Sequence, residues 1–364
     1  MDMERTRADE ARYQNQRILV GMSGGLDSTY AALYLKRCGA TIAGAVLSMG
    51  EETDLLGAKT AARQLDIPLH IIDARDAFEA HVKSYFASSY AKGETPNPCV
   101  ECNRHVKVAL LCDFAQEHGF DLVCTGHYAH IAYDDGAGRY YVMRAEDEKK
   151  DQSYVLWQLT QKQLAMLITP LSYMKKTEIR KEAAAAGLSA AAAKESQDIC
   201  FLPNGDYAAF VKARLGDFPE GDFVDENGCV VGRHKGIIHY TVGQRKGLGI
   251  ALGKPVFVTR IDAETNTVHL AASGGEFGME CVASDVNFQK LSDGETLDGM
   301  RVRVKVRYAA PPADATVYKI QTTDGRCGVR VVFDTPQRAV TPGQSAVFYD
   351  ADEGRALLFG ARII

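Results

Sequence analysis

The sequence predicts a doubly wound parallel α/β domain, followed by a small central β-rich domain and a C-terminal β-barrel. Two observations carry this expectation. Up to about residue 210, short apolar runs alternate with helical segments, the pattern of a parallel sheet built from βαβ units. From about Gly216, glycine, β-branched residues and short alternating runs replace the helices, the pattern of small antiparallel β units. The expected divisions are a loose, charged tail at 1–16, an α/β domain at 17–212, a central domain at 213–276 and a barrel at 277–364.

Taken in order, residues 18–22 read as a short buried strand. It breaks into Ser23-Gly24-Gly25 and resumes as a helix with Tyr30, Leu33 and Tyr34 on one side. Residues 41–49 predict a strand, and 53–65 a helix with Leu56, Ala61 and Leu65 turned inward. Residues 69–72 predict a strand, 77–90 and 104–118 helices, and 121–125 another strand. Residues 133–143, with Asp-Asp-Gly-Ala-Gly between the arms, predict a hairpin. Residues 175–193 form an alanine-rich helix interrupted by Gly187. Residues 328–333 and 345–349 predict barrel strands.

Composition narrows the class. The chain has 364 residues, 46% hydrophobic and 24% charged, which is globular composition with room for two or three domains. No apolar run reaches membrane-spanning length, and residues 1–16 are too charged for a signal peptide. Nine scattered cysteines, an odd number, do not resemble a secreted disulfide framework, so reduced thiols in the cytoplasm are expected. A net charge of −5 leaves any RNA contact to local basic patches.

The loop of residues 21–28 carries the first chemistry. Strand, glycine turn and helix aim free backbone N–H groups and a helix's positive end at an anion. Gly24 and Gly25 let phosphate approach the backbone, and Ser23 and Ser28 add hydroxyls. The Gly-x-x-x-x-Gly-Lys-[Ser/Thr] pattern is absent, so no lysine within the loop reaches the phosphates. Asp27 sits in the cradle, where a bare carboxylate repels phosphate; it makes sense there if it holds Mg²⁺ that bridges to the phosphates. Ser-Gly-Gly-x-Asp-Ser after a strand resembles the PP-loop of ATP pyrophosphatases, which cleave between the α and β phosphates and adenylate a substrate.

Thr95-Pro96-Asn97-Pro98-Cys99-Val100-Glu101-Cys102-Asn103 is the second informative stretch. Two prolines stiffen an extended loop, and Asn103 is expected to cap the next helix. That puts Cys102 at or beside a helix N-terminus, where the dipole favours thiolate. The Cys-x-x-Cys pair has three readings: redox or sulfur chemistry, a metal site, or coincidence. Zinc needs two further ligands, and there is no second Cys-x-x-Cys. Cys200 lies in a loop after the alanine-rich helix. Cys38, Cys112, Cys124, Cys229, Cys281 and Cys327 have no partner motif and are expected to be structural.

Two stretches are basic. Residues 227–261 hold no acid, while Arg233, Lys235, Arg245, Lys246, Lys254 and Arg260 are cationic. In residues 301–308 the period is two, so Arg301, Arg303, Lys305 and Arg307 share one strand face opposite Val302, Val304 and Val306. Four cations without an acid predict phosphate binding. Tyr308 is open between stacking on a base and a core position.

Together, Thr-Pro-Asn-Pro-x-x-x-Cys-Asn at 95–103, Thr-Gly-His-Tyr at 125–128, Lys-Asp-Gln-Ser-Tyr at 150–154, Ser-Gln-Asp-Ile-Cys-Phe at 196–201 and the run from His234 to Ile250 resemble the tRNA-specific 2-thiouridylase (MnmA) family. The resemblance covers most of residues 17–350. It implies that Gly21, Met22, Ser23, Gly24, Gly25, Leu26, Asp27 and Ser28 bind ATP, with Leu47 and Gly126 against the adenosine. It also implies that Asn97, Pro98 and Cys99 contact the target base, that Cys102 is the nucleophile and that Cys200 carries a persulfide. His127, Lys150, Asp151, Gln152, Arg307, Tyr308 and Gln344 match positions that meet tRNA. The implied reaction is 2-thiolation of the wobble uridine with ATP and Mg²⁺, Asp27 serving the metal. The implied acceptors are tRNAs for Lys, Glu and Gln, the sulfur comes from a cysteine desulfurase or relay protein, and the enzyme is a monomer.

One departure stands out. Many members carry aspartate where this chain has Cys99. Cys99, Cys102 and Cys200 together would supply three thiolates for a [4Fe–4S] cluster with one open iron; a metal-free persulfide enzyme is the other reading. The rivals are another PP-loop ligase or amidotransferase acting on a small molecule, or an RNA-binding protein with a vestigial nucleotide site.

Overall fold

The computed structural model describes residues 10–50, 53, 55–193, 199–202, 205–322 and 325–364. Two compact units are present. The first is built from residues up to 81, 99–201 and 355–357, and the second from 82–98, 202–354 and 358–364.

The first unit holds a parallel five-stranded sheet, in the order β3-β2-β1-β4-β7. Its strands are β1 (Arg17–Gly21), β2 (Thr41–Ser48), β3 (Leu69–Asp73), β4 (Leu122–Cys124) and β7 (Leu167–Ile168). Ile18, Leu19 and Val20 are fully buried, as a central parallel strand covered on both faces requires. Helix α1 (Leu26–Arg37) seats Tyr30 and Tyr34 in the core as expected. Helix α2 (Leu55–Leu65) buries Ala58, Ala61, Ala62 and Leu65, whereas Leu56 is 71% exposed. Small alanines bring this helix close to its neighbours and leave the larger side chain on the wet face, against expectation. The expected hairpin forms from β5 (Ala129–Asp134) and β6 (Arg139–Arg144).

Other expectations change. The tail is not loose throughout: residues 10–13 are helical, and Tyr13 is 4% exposed in the core; residues 1–9 lie outside the described residues. The segment expected as a helix at 77–90 starts earlier, as α3 (Arg75–Phe78), a π-turn (Glu79–Lys83) and α4 (Ser84–Ala91). The segment expected from 104 starts at proline, as α5 (Pro98–Cys102), a second π-turn (Asn103–Lys107) and α6 (Val108–Glu117). Proline suits a first helical position, because its missing N–H is unsatisfied there anyway. The short helix α7 (Gln161–Met166) opens on a Thr160/Gln163 capping box. The alanine-rich stretch is helical only as α8 (Lys176–Ala185), ending before Gly187 at φ +74°.

In the second unit, α4 packs on α9 (Tyr207–Leu215), with Tyr90 stacked on Tyr207 at 4.8 Å between centroids. A four-stranded sheet follows, ordered β10-β11-β8-β9, from β8 (Gly221–Val224), β9 (Val230–His234), β10 (Val256–Asp262) and β11 (Thr267–Ala272). The last six strands close a barrel: β12 (Phe277–Phe288), β13 (Met300–Lys305), β14 (Ala313–Gln321), β15 (Cys327–Arg338), β16 (Ser345–Tyr349) and β17 (Leu357–Ile363). Val302, Val304, Val317, Val329, Val331, Phe348 and Phe359 fill it.

The basic strand departs most from its sequence reading. Arg301 pairs with Asp334 at 2.6 Å and Arg303 with Asp314 at 3.5 Å. Lys305 is 7% exposed. The Arg307 guanidinium donates to Ala339 O at 2.9 Å, Val242 O at 2.9 Å and Thr341 Oγ1 at 2.5 Å. In the central sheet, Arg233 pairs with Asp222 across the ladder at 2.8 Å, and Arg260 with Asp262 at 2.5 Å. Cations that look unopposed along the chain are neutralised by acids on nearby strands, or, for Arg260, by an acid just past the end of the acid-free run.

Candidate active site

The sheet order reverses between β1 and β4, and in doubly wound sheets ligands bind beyond the carboxyl ends of the strands at that switch point. The loops leaving these two strands, at 22–25 and 125–128, therefore meet where a ligand is expected. An ideal Cβ on Gly126 would lie 2.8 Å from Ser28 N and 2.9 Å from Asp27 C. Gly24 has φ +78°, and a Cβ there would stand 2.6 Å from the Gly57 carbonyl carbon. Gly24→Ala is accordingly expected to cost at least about 1–2 kcal/mol from the left-handed backbone alone, read as a lower denaturant midpoint. An unchanged midpoint contradicts this account of the loop.

The loop is held in shape before any ligand arrives. The Ser23 N–H donates to Ser28 Oγ at 3.1 Å, the Ser28 hydroxyl to Gly25 O at 3.3 Å, and the Thr29 hydroxyl to Gly25 O at 2.8 Å. Leu47, at the end of β2, is 8% exposed. Asp27 lies in the first turn of α1, where a carboxylate suits the helix dipole. Its carboxylate is not bare, as the sequence suggested: Lys176 Nζ lies 2.7 Å from Oδ2, and the Tyr128 hydroxyl donates to Oδ1 at 2.9 Å. Neither Lys176 nor Tyr128 was singled out by sequence reasoning. Tyr128 stands inside a quoted motif, but a lysine 149 residues from its partner leaves no local signal.

These residues fit a nucleotide triphosphate: a loop held in shape by its own hydrogen bonds, two serine hydroxyls, a helix N-terminus, and Gly25, where a Cβ would meet only Ser23 Oγ and so leaves the backbone open to an anion. A Mg²⁺ held through phosphates and a single carboxylate fits as well, since Mg²⁺ keeps several waters and needs no protein cage.

The cysteines sit in the same unit, but not as expected. Asn103 does not cap a helix; it is 2% exposed, and its amide donates to Val155 O at 3.1 Å. Cys99 is the residue in the first helical turn and is exposed, whereas Cys102 lies a turn deeper at 6% exposure. Burial pushes the Cys102 thiol up to about 11, against the opposing pull of Lys107. The expected thiolate is thus a protonated thiol in this state, because the dipole acts only over the first turn while desolvation acts throughout. The π-turn closes i to i+5, which brings Lys107 round to the side of Cys102. Lys107 is exposed; desolvation works against its charge, and Cys102, Cys99 and Cys200 outweigh that and raise its pKa. Cys200 is exposed, on a turn anchored by Phe201, whose ring meets Phe78 edge-on at 5.8 Å. Ser196, Gln197 and Asp198 of its motif lie outside the described residues.

A cluster fits this arrangement poorly. Among the described residues no three His, Cys, Asp or Glu side chains are gathered to hold a metal ion.

The residues expected to meet tRNA divide by burial. His127 is 8% exposed, with Nδ1 at 2.9 Å from Thr125 Oγ1; burial, then Lys107, pushes it down to about 3, so the ring is neutral. Asp151 is 4% exposed and accepts from Arg144, the Ala145 N–H, the Ser153 N–H and the Ser153 hydroxyl. Gln152 accepts from the Tyr128 N–H at 2.9 Å. All three are held by hydrogen bonds within the protein, and Lys150 is half-buried. The second unit holds Asn97, Pro98, Arg307, Tyr308 and Gln344. The Gln344 amide donates to Thr95 O at 2.7 Å, and Tyr308 is 43% exposed, which removes the core alternative for that ring.

The neutral His127 carries a pH prediction. Its folded pKa lies below the ordinary 6.5, so the stabilisation is complete above pH 6.5 and is lost as pH falls toward 3. Going from pH 7 to 5 is expected to cost about 2 kcal/mol more in the parent than in His127→Gln, measured by denaturant unfolding. Equal losses would remove the assignment of a neutral ring.

Comparison with known proteins agrees with this geometry. The profile described as tRNA methyl transferase HUP domain matches residues 16–204. The tRNA methyl transferase PRC-barrel domain matches 208–272, and the aminomethyltransferase beta-barrel domain 279–363. A tRNA-specific 2-thiouridylase MnmA of Acetivibrio thermocellus is 45% identical over 353 residues, covering 93% of this chain and 97% of its own. Those of Clostridioides difficile and Carboxydothermus hydrogenoformans are 39% and 41% identical over 354 residues, again across 93% of this chain, with 96% and 95% of their own. No helix among the described residues is long and apolar enough to cross a membrane. With three family profiles matched in order and relatives of up to 45% identity aligned over 93% of its length, the chain belongs to the tRNA-specific 2-thiouridylase (MnmA) family.

Proposed function

We propose that this protein is an ATP-dependent tRNA-uridine 2-sulfurtransferase of the cytoplasm, acting as a monomer on the wobble uridine of tRNAs for Lys, Glu and Gln. The observation that carries the reading is a single unit holding both a preformed nucleotide loop and a thiol group of three, Cys99, Cys102 and Cys200, electrostatically coupled to Lys107. Residues 17–212 act as the catalytic domain, with 213–276 and 277–364 serving RNA. Cys99, at an exposed helix start, and the Asn97-Pro98 segment before it serve the target base.

The roles follow from charge. The uridine C2 oxygen is a poor leaving group. It attacks the α-phosphorus while the bond to the β-phosphate breaks and pyrophosphate leaves, and the loop 21–28 holds the charge that develops there. Bound Mg²⁺ supplies Lewis-acid stabilisation of the phosphates. A terminal persulfide sulfur on Cys200 then attacks C2 and AMP departs, leaving C2 joined to Cys200 through two sulfurs. Cys102, as thiolate, attacks Cys200 Sγ; the S–S bond breaks toward C2, giving 2-thiouridine and a Cys102–Cys200 disulfide that a cellular thiol reductant reopens. The persulfide is supplied by a cysteine desulfurase or relay protein. Cys200, exposed on its turn, suits delivery from outside, and Cys102, buried and protonated, is kept from premature oxidation.

The test uses protein purified without oxygen and split into metal-free and cluster-reconstituted halves. Each receives MgATP, a persulfide source and unmodified tRNA, and the nucleosides are read by mass spectrometry. 2-Thiouridine from the metal-free half is the expected result. Product from the reconstituted half alone replaces the persulfide route with a [4Fe–4S] cluster on Cys99, Cys102 and Cys200. Product from neither returns the chain to a small-molecule PP-loop ligase or a non-catalytic RNA binder.

A further inference from the structure

The loop 21–28 contains no lysine, yet an ammonium reaches it from elsewhere in the chain. Lys176 opens α8, and its side chain is 13% exposed, with Nζ 2.7 Å from Asp27 Oδ2 and 5.5 Å from the centroid of the Tyr128 ring. The position is costly for a merely structural lysine. A cation at a helix N-terminus opposes the dipole, and ordering a long side chain in a recess costs rotamer freedom. The cation stays because Asp27 faces it. Asp27 is in turn tied on its other oxygen by Tyr128, so the pair stands ready formed at the mouth of the α1 N-terminus.

Such a pair responds to an arriving polyanion. Phosphate oxygens attract the ammonium and repel the carboxylate, and a divalent cation arriving with them does the reverse. Both forces open the pair in the same direction.

We propose that Lys176 is a catalytic residue of the nucleotide-cleaving step, which exchanges Asp27 for the departing phosphate oxygens and leaves Asp27 to the metal. The lysine thus does the work of the one that P-loops carry within the loop, delivered here by the start of a later helix. It lowers the charge on pyrophosphate as the bond to the α-phosphorus breaks; no proton transfer is required of it. This inference rests on the loop's binding a nucleotide triphosphate.

The test is calorimetry on the full chain without tRNA, using inorganic pyrophosphate and AMP as separate probes. With Mg²⁺ present, Lys176→Met is expected to weaken pyrophosphate binding by about 10- to 100-fold, the range for a charged hydrogen bond, with AMP affected less than about twofold. Lys176→Arg should recover most of the loss. In chelator without metal, Asp27→Asn should bind pyrophosphate about tenfold more tightly than the parent, because the lysine no longer has a competing partner; adding Lys176→Met should cancel that gain. A purely structural lysine does not produce the tightening. Pyrophosphate binding unchanged in Lys176→Met overturns the proposal. Should that variant fail to fold, the Asp27→Asn measurement decides alone, and absence of tightening overturns it. A parent protein that binds neither MgATP nor magnesium pyrophosphate overturns the nucleotide reading itself, which is distinguishable from failure of the lysine.

Discussion

Cys200→Ala in the metal-free enzyme is expected to lose 2-thiouridine formation by about 10³-fold or more while pyrophosphate release on adding tRNA and MgATP continues, as removal of a covalent nucleophile requires. Cys102→Ser should fail at a different point. The persulfide still attacks, but the sulfur bridge is not cleaved, so tRNA should accumulate joined to Cys200 and be released by an added thiol. The two variants therefore separate carrying sulfur from freeing it. Their order is written in the geometry: one thiol is exposed and the other is 6% exposed. If Cys102→Ser stops pyrophosphate release as well, the division of labour is wrong.

The second large effect concerns Lys107. Burial alone would hold the Cys102 thiol even higher than about 11, and Lys107 is the group that opposes it. Removing that charge as Lys107→Met raises the thiol further, so less thiolate exists at every pH below its pKa. Alkylation of Cys102 by a neutral reagent at pH 9, followed by peptide mass spectrometry, should slow by about tenfold, and 2-thiouridine formation should fall by about 10²-fold. In the parent, that alkylation should speed up about tenfold per pH unit from 7 toward 10, since the thiolate fraction rises so below the pKa. The same substitution removes one of the two influences that hold His127 down, so its pKa should rise from about 3. A Lys107→Met enzyme with unchanged alkylation rate and unchanged His127 titration would show that the π-turn merely bends the helix.

Both effects depend on a residue whose position in the sequence is unremarkable. An α-helix turns residues five apart away from each other, and only the π-turn at Asn103–Lys107 brings Lys107 round to Cys102. A second π-turn, Glu79–Lys83, carries His81, which stacks on His105 of the first at 4.7 Å between centroids. Helix periodicity shows that helices exist in these stretches, not that each holds an extra residue per turn.

Much of the architecture and the nucleotide loop follows from local pattern. The apolar core of β1, the turn at Ser23-Gly24-Gly25 and the alternating valines of β13 are short-range signals that backbone geometry obliges. The cysteine loop is equally legible as a motif. What local pattern cannot convey is which distant group each side chain meets. Asp27 looked bare until the fold brought Lys176 and Tyr128 to it. Arg301 and Arg303 looked like a phosphate-binding face until Asp334 and Asp314 came opposite them. Cys102 looked like a thiolate because its helix was expected to begin at Arg104; a start at Pro98 places it beyond the first turn and under enough protein for desolvation to outweigh the dipole. The sequence by itself determined the family, the loop and the reactive residue types, because these depend on near neighbours. Charge state and pairing waited for the tertiary structure, because electrostatic energy depends on distance in space and on exclusion of water, and neither is a property of chain order.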